Sequence, residues 1–174
     1  MTSTDAITGP LESGVRLAEG RFAGRGEFVE MMRQAFAAAA VQGWREIVLS
    51  DPDYADWPLG ERGVAEALNS WSKTGRKLTM MAGSYDMVFS RHARFVVWRR
   101  TWAHLVECRA VVPASADRTP SALWSSGWAV ERLDARHCAG MAGSDAARRL
   151  ALKGRLNEAL LTSVPAFPAS VLGL

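Results

Sequence analysis

The sequence predicts a single α/β domain built on a mixed β-sheet, with parallel pairs plus a hairpin, and helices packed on it. Helical and strand-like periodicities alternate along the chain, the pattern of strand–helix–strand units with parallel pairing. Two short apolar runs flank a Ser126-Gly127 turn, which adds antiparallel strands. The 174 residues, 48% hydrophobic and 22% charged, suffice for one domain with its own core.

Residues 1–20 are polar and punctuated by Gly and Pro, the composition of a flexible or loosely docked arm, and the domain is expected over 21–174. From Glu27 to Gln42 the apolar residues Phe28, Met31, Met32, Ala35, Phe36 and Ala39 fall at helical spacing, and Gly43 ends that helix. Arg45 to Ser50 is short, apolar and β-branched in its middle, as a buried strand is. It runs into the loop DPDYADWPLG. Gly60 to Ser72 is a second helix, with Val64, Leu68 and Trp71 on one side. Arg76 to Ala82 is a second strand. Asp86 to Trp102 reads as one helix with Val88, Phe95, Trp98 and Trp102 inward, although its FVVW segment also suits a strand. His104 to Val111 is a third strand, and VPASADRTPS a surface loop. Ser121 to Leu133 is the hairpin. Ser144 is a candidate N-cap for a last helix to about Leu161, with Leu152, Leu156 and Leu160 on one face. The apolar end, SVPAFPASVLGL, is expected to dock on the body, because such a tail is a liability in water.

Composition narrows the function classes. The net charge is +3, and eighteen arginines stand against three lysines. Arginine makes planar, bidentate contacts with phosphate and stacks on aromatic rings, though an arginine-favouring codon bias yields the same count. Two cysteines, Cys108 and Cys138, form neither a disulfide framework nor a four-thiolate zinc site. The N-terminus lacks a basic segment followed by an apolar one, so no secretory signal is read. The longest apolar run, Ala35 to Val41, is too short to span a bilayer. A cytoplasmic location without membrane contact is the expectation.

Three constellations bear on chemistry. Asp51, Asp53 and Asp56 follow a strand directly, where open α/β sheets place their sites, and three carboxylates in six residues are weak candidates for a metal. The plainer reading gives them turn and cap hydrogen bonds. Asp86 to Arg109 concentrates arginine and tryptophan, which suits phosphate binding and base stacking. Tryptophans turned to the core with arginine stems along the rim explain it as well. The histidines read as structural rather than catalytic: His104 and Glu107 at i and i+3 on a strand point to opposite faces, His92 sits beside Arg91 and Arg94, and His137 lies in a loop-like stretch. No G-x-S-x-G or phosphate-binding G-x-x-x-x-G-K-[ST] occurs, and Gly20, Gly24 and Gly26 do not follow a strand.

The stretches DPDYADWPLGERGVAEAL, GRKLTMMAGSYD, HARFVVWRRTWAHLVECR and PAFPASVLGL resemble a family of uncharacterised bacterial proteins. In outline, over about residues 21–174, the chain also resembles the phospholipase-D-like fold. The signature of those enzymes is His-x-Lys-x4-Asp. Here His92 is followed by Ala93-Arg94, His104 by Leu105-Val106 and His137 by Cys138-Ala139. The resemblance therefore implies a degenerate member without that chemistry.

The expected function is a non-catalytic binding or interaction module without a cofactor. It would use Arg91, His92, Arg94, Arg99 and Arg100 for a phosphate-bearing ligand or nucleic acid. One alternative is a metal-dependent phosphoester-processing enzyme built on Asp51, Asp53 and His92. Another is a structural subunit of an oligomer, a homodimer included.

Overall fold

The structure is a computed structural model that describes residues 15–112 and 118–169. The chain runs β1 (Gly20–Phe22), α1 (Arg25–Gln42), β2 (Glu46–Asp51), α2 (Arg62–Ser72), β3 (Lys77–Ala82), α3 (Asp86–Arg91), α4 (Ala93–Thr101), a 3₁₀ turn (Ala103–Leu105), β4 (Val106–Val111), β5 (Ser121–Ser125), β6 (Ala129–Asp134), β7 (Ala139–Gly143), α5 (Ala146–Leu161) and β8 (Ser163–Pro165). The strands form one eight-stranded sheet in the order β1-β7-β6-β5-β2-β3-β4-β8. β2 and β4 flank β3 in parallel, and every other pair is antiparallel. The α/β class, the mixed sheet and the hairpin are as the sequence predicts.

Alternation along the strands divides the core in two. Ile47, Leu49, Leu78, Met80, Val106 and Cys108 face the layer of α1 to α4. Val48, Met81, Val111, Ala122 and Ala129 face α5, through Leu152 and Leu156. α1 ends where expected, with Gly43 at φ 65° and its N–H bonded to Ala39 O, a left-handed position that glycine fills without steric cost. Two indole N–H groups are paired inside the first layer: Trp71 donates to Trp44 O at 2.5 Å and Trp98 to Ser72 Oγ at 2.9 Å.

Five expectations need correction. Asp86–Trp102 is two helices broken at His92, whose φ of −115° and ψ of 49° leave the helical region. Of the flexible or loosely docked arm, residues 15–20 are docked rather than flexible: Val15 and Leu17 pack on the core, Ala18 O accepts the Trp128 indole N–H at 2.9 Å, and Glu19 accepts from Ser144 N. Three strands escaped the periodicity argument. β1 and β8 are three residues each, and β7 is AGMAG, whose small side chains carry no alternation. The N-cap of α5 is Asp145, not Ser144, and its carboxylate accepts from Arg148 N at 2.9 Å. His104 sits in the 3₁₀ turn rather than in β4. The apolar C-terminal segment docks as expected as far as the structure describes it: β8 pairs with β4, and Phe167 is buried. Residues 1–14, 113–117 and 170–174, within the expected arm, loop and tail, lie outside the described residues.

Candidate ligand cleft at the strand ends

β2, β3 and β4 run parallel, so their carboxyl ends meet on one side of the sheet, the position at which open α/β folds bind ligands. β2 ends on Asp51, which is fully buried. Its Oδ1 accepts the backbone N–H groups of Asp53 (3.1 Å) and Tyr54 (2.8 Å), the local bond that makes aspartate a turn former. The turn holds Tyr54 at φ 60°, a region that non-glycine side chains seldom occupy. The Tyr54 hydroxyl donates to Met81 O at 2.7 Å, and its carbonyl accepts from His92 Nε2 at 2.9 Å. Opposite a carbonyl, Nε2 must carry the proton.

Asp51 Oδ2 accepts from Ser121 Oγ at 2.5 Å and from Arg132 at 3.0 Å. Arg132, from β6, is the hub of the site. It also bonds Asp56 Oδ2 (2.8 Å), Ser121 Oγ (3.1 Å) and Cys138 Sγ (3.4 Å), and its guanidinium lies 4.8 Å from the centre of the Phe28 ring. Burial works to lower the guanidinium pKa, but Cys138, Asp51 and Asp56 together raise it. A buried arginine with this many acceptors stays charged and fixed.

Above the hub opens a cleft of about 690 Å³, lined among others by Pro52, Val111, Arg118, Ser121, Arg132 and Arg155. Arg155 of α5 grips Glu131 of β6 through both guanidinium nitrogens, one contact being 2.8 Å. The bonds to Glu131 raise the Arg155 pKa. Arg118 is exposed and makes no ion pair or side-chain hydrogen bond among the described residues. Two arginines of the cleft are thus neutralised by carboxylates of the chain, and the third has no such partner among the described residues.

The residues singled out in the sequence fall elsewhere or take other parts. Asp51 and Asp56 straddle Arg132, and Asp53 Oδ1 accepts from Ala55 N at 2.9 Å. Among the described residues no three metal-ligating side chains converge. Asp51 and His92 hold the two backbone groups of Tyr54, with Asp51 on its N–H and His92 on its C=O. The arginine stretch is not one surface. Arg99 is buried: it donates to Phe167 O at 3.2 Å, lies 5.7 Å from that ring centre, and leaves Nε and one Nη without a partner among the described residues. Arg94 reaches back to Gly60 O at 2.9 Å. Arg91 and Arg100 are exposed, and Arg100 is about 120° round α4 from Arg94. Phe95 and Trp98 face the core, as the sequence implies. The sequence reading passed over Arg118, Arg132 and Arg155, which stand in three separate segments with ordinary neighbours.

No family model matches the chain, and no curated protein matches it. Among solved structures it is similar to TrmBL2, an archaeal chromatin protein whose structure shows a novel mode of DNA binding. The TM-score is 0.63 at 12% identity, over 90% of this chain and 57% of that one. The chain thus spans little more than half the length of TrmBL2, and the likeness is one of fold.

Proposed function

We propose that the chain is a non-catalytic binding module that takes a small phosphate-bearing ligand in the strand-end cleft. One observation carries this reading: Arg118, exposed and without an ion-pair partner among the described residues, stands at a cleft of about 690 Å³ whose other two arginines are already held in place. Those two supply a rigid polar floor and Arg118 supplies the uncompensated charge, a division that suits recognition of one anionic group. The absence of a His-x-Lys-x4-Asp motif agrees with binding without turnover, as in the degenerate phospholipase-D-like domain that the sequence resembles.

The test is thermal unfolding with inorganic pyrophosphate and with AMP, each against wild type and Arg118→Ala. A ligand at a hundred times its Kd stabilises by about 2.7 kcal/mol. The expected result is a saturable rise in Tm for wild type that is lost in Arg118→Ala. No rise with either phosphate, or an equal rise in the variant, rejects the cleft as the phosphate site.

A second reading is favoured by the likeness to a DNA-binding chromatin protein: nucleic acid bound along α3 and α4 by Arg91, Arg94 and Arg100. Anisotropy of a labelled duplex across a salt series separates the two. Each neutralised phosphate contributes a slope of about 0.9, so Arg91→Ala with Arg100→Ala lowers the slope by about 2 on this reading. Arg118→Ala leaves it unchanged.

A further inference from the structure

α5 is the only helix among the described residues on its face of the sheet, and it is held from below. Leu152 and Leu156 are buried in the second core. On one flank Lys153 Nζ bonds Glu46 at 2.9 Å and lies 4.1 Å from the Trp124 ring centre. On the other, Arg155 grips Glu131. These contacts set the rotation of the helix. At about 100° per residue, the stripe directly opposite Leu152 and Leu156 consists of Ala147, Leu150, Ala151, Gly154, Asn157 and Leu161, with Glu158 at its edge. All are exposed. Leu161 and Leu150, at 85% and 76%, are the two most exposed large apolar side chains among the described residues. Positions 147, 150, 154, 157 and 161 repeat at alternating intervals of three and four, the spacing of a helix-pairing seam. Four of the five charges of α5 lie off this stripe.

We infer that this face binds a second copy of the chain, with α5 against α5 in antiparallel about a two-fold axis at Gly154. The stripe is complementary to itself in that arrangement. Gly154 stands at the middle of Ala146–Leu161 and meets its own copy, where the missing side chain permits close approach of the helix axes. Leu161 and Ala147 lie seven residues to either side, so each leucine covers an alanine of the other helix. The charges decide direction. Glu158 and Arg148 are both exposed, and neither makes an ion pair among the described residues. They occupy the same flank, four residues beyond and six residues before Gly154. The two-fold axis therefore brings Glu158 within about 3 Å, along the axis, of Arg148 of the partner subunit, and does so twice. A parallel pair would leave Glu158 about 15 Å along the axis from Arg148 of the partner subunit, out of reach of an ion pair. One helix face, about 24 Å long, is a contact of the smallest size class, that of weak and reversible associations.

Sedimentation velocity of the full chain over a micromolar concentration series at low salt tests this. The expected result is a monomer–dimer equilibrium that Leu150→Lys with Leu161→Lys abolishes, with far-UV circular dichroism and Tm unchanged. Arg148→Glu and Glu158→Arg should each weaken the dimer at least about fivefold, and the two together should restore it. A monomer at every concentration overturns the proposal. So does a dimer indifferent to the leucine substitutions, or a double swap that stays monomeric.

Discussion

Arg132 carries the heaviest burden of any single side chain in the strand-end cluster. It neutralises Asp51, which is fully buried, and Asp56, which is partly exposed. Arg132→Ala leaves the Asp51 carboxylate in the interior with only Ser121 and two backbone N–H groups as partners. Removing one member of such a pair costs about 3 kcal/mol or more, and urea unfolding should show a loss of that order. Cys108 gives a second prediction at this scale. Burial pushes its thiol from 9.0 up to about 11, with Arg99 pulling the other way. A raised thiol pKa means that the folded state keeps its proton after the unfolded state has lost it. Stability from this source is therefore complete below pH 9, declines as the pH rises, and is gone above about pH 11. Cys108→Ala should flatten that part of the alkaline stability profile, as read from urea midpoints on either side of the interval. Buried Tyr54 and Tyr85, also raised, leave a decline at higher pH in both proteins. Arg132 was not legible as the partner of Asp51 and Asp56 in the sequence, because they lie 81 and 76 residues away.

At the scale of elements, the joint between α3 and α4 is the clearest departure from the sequence reading. Its apolar spacing fits one continuous helix, yet His92 turns its ring inward to Tyr54 O and breaks the helix there. The loop before α2 closes on that joint. A Cβ added at Gly60 would fall 2.7 Å from Arg91 O and 3.2 Å from His92 Nδ1, while Gly60 O accepts from Arg94. Gly60→Ala must push the loop from the joint, at a cost of about 1–3 kcal/mol. Thermal unfolding checks this, with Gly63→Ala as the control, since a Cβ there meets nothing. Long amphipathic elements were legible with their ends nearly correct: α1, α2, α5, the parallel strands and the hairpin. The strands that were missed are short or made of small residues, so their formation depends on the neighbour that offers an edge.

At the scale of the whole molecule, the sheet order makes the candidate sites. β5 inserts beside β2, and the antiparallel strands β5, β6, β7 and β1 extend the sheet on one side while β8 closes the other. That order carries Arg132 to the end of β2 and Arg155 above it, so residues from five segments of the chain line one cleft. Among the described residues it also gives one face to four helices and the other to α5 alone, which is why an apolar stripe of that helix is left outward. The sequence by itself determined the α/β class, the amphipathic elements and the inward tryptophans, because hydrophobic period and turn chemistry are local properties. It also established the excess of arginine, without saying where any guanidinium would point. The tertiary structure alone places Arg99 in the interior, sets Asp51 and Asp56 on Arg132, and leaves Arg118 exposed at the cleft without an ion-pair partner among the described residues. Ion pairing and burial depend on which distant segments the sheet brings together, and no local pattern encodes that.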